Sequence, residues 1–156
     1  TTYAFAQCLL ESKRCEGVTI LTNSIPVAQL AHSADASGSV EVIMTGGAVT
    51  RSNSLVGPIA DKVIRGLRVN TLFTGAHSVS LPRGFLTPNS LEAATNSALI
   101  SIADLCIALV DHTKWDSTSL SLFADFSQID TVITDSALSG PRRKQTRSLV
   151  KHLVTV

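Results

Sequence analysis

Short apolar runs alternate along this chain with longer stretches whose apolar positions recur every three or four residues. The runs are Val18 to Leu21, Val40 to Met44, Leu72-Phe73, Leu105 to Val110 and Thr131 to Ile133, with a last one from His152 to Val156. Their brevity and β-branched content predict strands, and Leu105 to Val110, the most apolar, predicts a central one. The periodic stretches predict helices over residues 1–14, from Ser24 to about Ala34, from Val56 to Leu67, from Asn89 or Ser90 to about Ala103, and over residues 141–150. Ile59, Val63, Ile64 and Leu67 are the expected apolar stripe of the third helix. Ser24 ahead of Ile25-Pro26 has the chemistry of a helix start, as does Asn89 or Ser90 with Glu92 in the following turn. Lys13-Arg14 suit the carboxyl end of the first helix, residues 35–39 a turn, and Pro82 with Gly84 a loop. Residues 120–127, with Phe123 and Phe126, are only weakly periodic.

Strands alternating with helices of this length predict an α/β fold. The expected architecture is three-layered, an open, mostly parallel sheet with helices on both faces. One regularity sharpens the picture. Five strands each end in small or polar residues: Thr22-Asn23-Ser24, Thr45-Gly46-Gly47, Gly75-Ala76-His77, Asp111-His112-Thr113-Lys114 and Thr134-Asp135-Ser136. In an open α/β sheet the carboxyl ends of the strands line the ligand crevice. The predicted site is this rim, together with the helix start at Asn89 and Glu92.

Composition narrows the class. Of 156 residues, 44% are hydrophobic and 16% charged, which suits one domain with a sheet hidden on both faces or surface hidden in an oligomer. The net charge of +1 gives no overall nucleic-acid footprint. No run approaches the ~20 apolar residues of a membrane span, and no signal-peptide pattern occurs. Cys8, Cys15 and Cys106 follow no metal spacing, and a reducing cytoplasm is the expected compartment. The chain starts Thr1-Thr2 without an initiator Met, which points to a longer protein. Five of the 13 basic residues fall in the last fifteen positions, with no acid after Asp135. Without an aromatic platform beside them, they are expected to form the wet face of a helix.

Neither G-x-G-x-x-G nor the P-loop pattern occurs, so neither dinucleotide nor P-loop binding is expected. Hydroxyls, amides and glycine backbone at strand ends suit a phosphorylated, hydroxyl-rich small molecule. Phosphate would take helix-start N–H groups with Ser or Thr hydroxyls, and sugar hydroxyls would take Asn89, Glu92 and His77. The same groups also serve as caps and turns that satisfy the backbone. His77 and the pair Asp111-His112 have ligand chemistry for a metal, but no three ligands stand at a known spacing, so neither a metal nor a cofactor is expected. Lys114 either reaches an anion at the rim or is a solvated loop lysine.

Taken in order, several segments together resemble a known family: Leu21-Thr22-Asn23-Ser24, Thr45-Gly46-Gly47-Ala48-Val49, Ser54-Leu55-Val56-Gly57-Pro58, Gly75-Ala76, Gly84-Phe85-Leu86-Thr87-Pro88-Asn89, Glu92-Ala93, Val110-Asp111-His112-Thr113-Lys114 and Ile129 to Asp135. The chain is similar, over nearly its whole length, to the C-terminal effector-binding domain of the DeoR family of bacterial transcription regulators. The resemblance implies the fold of ribose-5-phosphate isomerase, glucosamine-6-phosphate deaminase and the CoA transferases. It also implies a phosphorylated sugar or related metabolite as effector, and operator DNA bound only through an N-terminal winged helix-turn-helix that is absent here. The family's first strand and half of its phosphate loop would precede Thr1. On this reading residues 1–156 are one effector-binding domain of a cytoplasmic homo-oligomer with no membrane contact. The expected effector contacts are Thr1, Thr2, Thr22, Asn23, Ser24, Gly46, Gly47, Gly75, His77, Asn89, Glu92 and Lys114. The alternative is an enzyme on the same scaffold, a sugar-phosphate isomerase or deaminase with Glu92 as base. Two positions depart from the family pattern: it commonly has Asp or Asn where this chain has His77, and Lys where this chain has Asn96.

Overall fold

The computed structural model describes residues 1–12, 15–34, 40–115 and 117–156; Lys13-Arg14 and the turn expected at 35–39 lie outside the described residues. Six strands correspond to the apolar runs: β1 (Thr19–Thr22), β2 (Glu41–Met44), β5 (Val69–Thr74), β8 (Ala103–Leu109), β10 (Thr131–Thr134) and β11 (His152–Thr155). Among the described residues five α-helices accompany them, α1 ahead of β1 and the others between strands: α1 (Thr2–Glu11), α2 (Ile25–Ala34), α3 (Pro58–Arg65), α4 (Ser90–Ser101) and α5 (Gly140–Arg147). All pairings among these six strands are parallel. β5, β8, β10 and β11 form one sheet in the order β11-β10-β8-β5, and β1 pairs with β2 in a second. β8 lies between β10 and β5, the inner position its apolar run predicts.

Side-chain alternation along β5 assigns the layers. Leu72 packs with Leu21 of β1 against Ala60 and Ile64 of α3 and Ala98 and Leu99 of α4. Its neighbour Phe73 points to the opposite face, where its ring lies 4.2 Å from that of Phe5 on α1. Helices therefore cover both faces, and one helical layer, α3 with α4, spans both parallel sheets. The fold is α/β, with a mostly parallel sheet flanked by helices.

The buried stripe of α3 differs from the one its periodicity predicts. Ile64 is fully buried, but the residue that joins it is Ala60, while Ile59, Val63 and Leu67 are 67%, 40% and 39% exposed. The physical reason is close packing: the small Ala60 side chain lets α3 approach Ala98 on α4, and that turns Ile59 and Val63 outward. The approach is bolted by a buried hydroxyl. Thr95 on α4 donates to Asp61 at 2.6 Å and accepts the amide of Gly57 at the head of α3.

The loop expected at Pro82 and Gly84 is instead a hairpin. β6 (Ser78–Ser80) and β7 (Gly84–Thr87) pair antiparallel, and β7 also pairs with β9 (Ser121–Ala124), drawn from the weakly periodic stretch. A smaller hairpin, β3 (Ala48–Val49) with β4 (Leu55–Val56), follows β2. The antiparallel sheet buries Val79, Phe85, Phe123 and Phe126 in one cluster with Cys106, Ala108 and Val110 at β8 and Val132 on β10. At the opposite end of the parallel sheet Asp130 accepts the amide of Cys106 and the ammonium of Lys151. These bonds tie β8, β10 and the approach to β11 together and hold the carboxyl below its usual range. Among the described residues no helix is long and apolar enough to cross a membrane.

Candidate functional site

The carboxyl ends of β1, β2, β5, β8 and β10 lie where the polar segments begin, and hydrogen bonds show how those segments are joined. At the end of β1, Asn23 exchanges backbone and side-chain bonds with Leu55 of β4. The tip of the β3–β4 hairpin then reaches α4: Ser52 donates to Glu92 Oε1 at 2.5 Å. The other carboxylate oxygen of Glu92 accepts the hydroxyl of Thr87, the last residue of β7, at 3.0 Å. β7 leads to His77, whose backbone amide donates to the Leu86 carbonyl. On the far side, Gly75 lies beside Thr2, and Thr1 donates its hydroxyl to Asp111 at the end of β8. The result is a chain of contacts running from β1 through the hairpin and α4 to β5 and β8.

The twelve predicted residues take different parts in it. Asn89 caps α4, its Oδ1 accepting the amides of Leu91 and Glu92, and its amide nitrogen makes no hydrogen bond among the described residues. Glu92 uses one lone pair on each oxygen and keeps the others. His77 is exposed and its ring makes no hydrogen bond among the described residues. Thr22 and Ser24 are occupied locally, Thr22 accepting the Ser24 amide and Ser24 accepting that of Val27 at the start of α2. Thr1 stands at the start of α1, but its hydroxyl serves Asp111 rather than a helix amide. Gly46 and Gly47 have φ of +67° and +110°. A Cβ on Gly47 would meet the Val56 carbonyl at 2.6 Å, so packing against β4 alone explains that glycine. The amide of Lys114 bonds the Asp111 carbonyl in a short 3-10 turn, and its charge helps hold the Asp111 carboxyl below its usual range, behind the hydrogen bond from Thr113.

Three residues absent from the twelve expected contacts are joined to this rim by hydrogen bonds. Ser52 gave no signal beyond a run of polar loop residues. Thr87 and Asp135 stood at segment ends without a named partner. Asp135 accepts the backbone amide of His112 at 2.7 Å, its ring Nδ1 at 2.9 Å, and the amide of Ala137. These bonds, the His112 amide foremost, hold the carboxyl at about 2. A carboxylate only accepts, so Nδ1 carries the proton in this bond. Ligand atoms of Asp111, His112 and Asp135 all lie within 4.8 Å of one another, a grouping the sequence spacing did not suggest.

The Asp135 bonds predict a pH response. The folded value lies below the ordinary value of about 3.9, so the stability it brings is complete above about pH 4 and is lost as pH falls toward about 2. In urea unfolding, the gap between the unmodified chain and Asp135→Asn should stay constant from about pH 7 to pH 5 and close between about pH 4 and pH 2. A gap constant down to pH 2 contradicts this account.

A groove of about 640 Å³ opens nearby between the segments that follow β5, β8 and β10. Ser80, Ser117, Thr118, Ser139, Arg142 and Gln145 supply its polar wall, and it shares no residue with the twelve. The rim itself is drawn together by the Ser52–Glu92 and Thr1–Asp111 bonds.

Comparison with known proteins places this geometry. The family model described as the DeoR C terminal sensor domain matches residues 1–136. The putative aga operon transcriptional repressor of Escherichia coli O157:H7 is 30% identical over 139 residues, covering 88% of this chain and 49% of that protein. The HTH-type transcriptional regulator GlpR of Haloferax volcanii is 31% identical over 109 residues, covering 69% of this chain and 43% of that protein. The L-fucose operon activator of Haemophilus influenzae is 25% identical over 128 residues, covering 81% and 50%. The chain thus spans about half the length of the curated relatives it matches. Among solved structures the decarboxylase AibA/AibB is similar at 16% identity with a TM-score of 0.49, over 99% of this chain and 86% of that one, a level that carries no argument. The family match and the regulators alike lead to one conclusion: the chain belongs to the DeoR C-terminal sensor domain family.

Proposed function

We propose that this chain is the ligand-sensing domain of a sugar-metabolism transcription regulator, and that a phosphorylated sugar or related metabolite binds at the strand-end rim. The observation that carries the reading is the contact chain through Glu92. One carboxylate is held by Ser52 and Thr87 next to the Asn89 cap, and Gly75, Thr2 and Thr1 meet at the far end of the same run of strand ends, where Thr1 bonds Asp111. Acceptors and donors at that density suit a hydroxyl-rich ligand, and the start of α1 offers N–H groups to its phosphate. The remaining predicted contacts, Thr22, Asn23, Ser24, Gly46, Gly47 and Lys114, frame the same rim.

The relatives bear names of transcriptional or operon regulators, and their greater length leaves room for a DNA-binding part. We therefore read residues 1–156 as one sensor domain of a cytoplasmic regulator that meets its operator through that part. Ile59 and Val63, exposed on α3, with Leu67 just beyond its end, support self-association. An enzymatic reading has less support. Among the described residues the side-chain hydrogen bonds to Glu92 come from hydroxyls, with neither the second acid nor the lysine that proton transfer beside a carbonyl would use.

A thermal-shift screen against sugar phosphates at millimolar concentration tests the proposal. A true effector at a hundredfold excess over its Kd should add about 2.7 kcal/mol of stability, a shift of several degrees. Silence from every sugar phosphate would overturn it.

A further inference from the structure

Three of the four basic residues of α5 share one face, while Arg142 lines the groove described above. Gly140, Arg143, Lys144 and Arg147 recur at the i, i+3, i+4, i+7 spacing of a single helical stripe and line a shallow depression of about 390 Å³. Lys144 and Arg147 are exposed and Arg143 is half-buried. Their side chains form no ion pair among the described residues, whereas Lys151 is neutralised by Asp130 and Arg68 by Asp104. No acid stands on α5 or anywhere after Asp135. In a chain of net charge +1, three unpartnered cations within about 6 Å of helix axis are a concentrated local field.

We propose that this face of α5 contacts the phosphate backbone of duplex DNA. The chemistry of the stripe selects the partner. It holds no apolar or aromatic anchor, which a protein partner would bury at the centre of an interface and a membrane surface would take up. The missing aromatic platform argues against single-stranded nucleic acid but not against a duplex, whose backbone is bound by charge alone. Gly140 in the stripe leaves the rod of phosphates room to approach. The inference rests on the regulator reading: such a protein already lies along DNA, and a second, sequence-independent contact from the sensor domain would add to its hold.

Fluorescence anisotropy of this chain with a short random-sequence duplex, from about 50 to 200 mM salt, tests it. Each phosphate contact contributes about 0.9 to the slope of log K against log salt. The triple variant Arg143→Gln/Lys144→Gln/Arg147→Gln should flatten the slope by about 2.7, and Lys144→Gln alone by about 0.9. The pair Lys62→Gln/Arg65→Gln on α3 should leave it unchanged. No binding at the lowest salt, an unchanged slope in the triple variant, equal flattening in the α3 pair, or tighter binding to phosphatidylserine-containing vesicles than to the duplex would each overturn the proposal. The sugar-phosphate thermal shift is read separately and should be the same in the α5 variants, so failure of the sensor reading and failure of this one are distinguishable.

Discussion

Replacing Gly84 with alanine should cost roughly 3–5 kcal/mol, the largest loss expected of any single methyl added to this chain. Gly84 opens β7 with φ of +131°, a conformation strained for any L side chain. Its Cβ would lie 2.1 Å from the Ala124 carbonyl oxygen and 2.8 Å from the Asp125 Cα. Both are backbone atoms on and beyond β9, so no rotamer change relieves the clash, and β7 and β9 must separate. Phe85, fully buried, would be carried out of register with Phe123 and Phe126, whose rings lie 6.4 and 5.1 Å from its own. At roughly 2–4 °C per kcal/mol for a chain of this size, the melting temperature should fall by about 10 °C. Gly140→Ala is the control. A Cβ there meets nothing within 4 Å, and a helical alanine should be neutral or stabilising by up to about 1 kcal/mol. Equal melting temperatures for the two variants would refute the account of β7.

Glu92→Ala should weaken effector binding by about 10- to 100-fold while leaving the chain folded. Charge-assisted hydrogen bonds are worth about 1.5–3 kcal/mol each when desolvated, and the proposed site has one carboxylate to supply them. The same change frees the hydroxyls of Ser52 and Thr87. Ser52 is exposed and turns to water, but Thr87, only 4% exposed, loses a buried partner, so a stability loss of about 1 kcal/mol should accompany the loss of affinity. Calorimetric titration with a sugar phosphate that scores in the thermal-shift screen, run beside denaturant unfolding, separates the two effects. Unchanged affinity with reduced stability would make Glu92 a structural clamp and move the site elsewhere.

The parallel strands and their helices were legible because each apolar run is local, bounded by caps and turns the chain carries beside it. Asn89 capping α4 and the inner place of Leu105 to Val110 both follow from such neighbours. The antiparallel sheet was not legible, since β9 finds its partner β7 more than thirty residues earlier and neither strand alternates cleanly. The stripe of α3 was misjudged for a related reason: periodicity counts large apolar residues, whereas the contact with α4 was decided by the small Ala60. At the rim, polar strand ends announced a site, but the links within it did not show. Ser52 meets Glu92 across forty positions and His112 meets Asp135 across twenty-three, distances over which only the completed fold supplies the pairing.

The buried hydroxyl of Thr95 has a mechanical result. Because it grips both Gly57 and Asp61, α3 cannot slide over α4 without leaving donors and acceptors stranded in the interior, and the two must pivot as one rigid plate. Glu92 rides one edge of that plate and the outward row of Ile59 and Val63 rides another. A tilt imposed at the first edge would be carried by the plate toward the second.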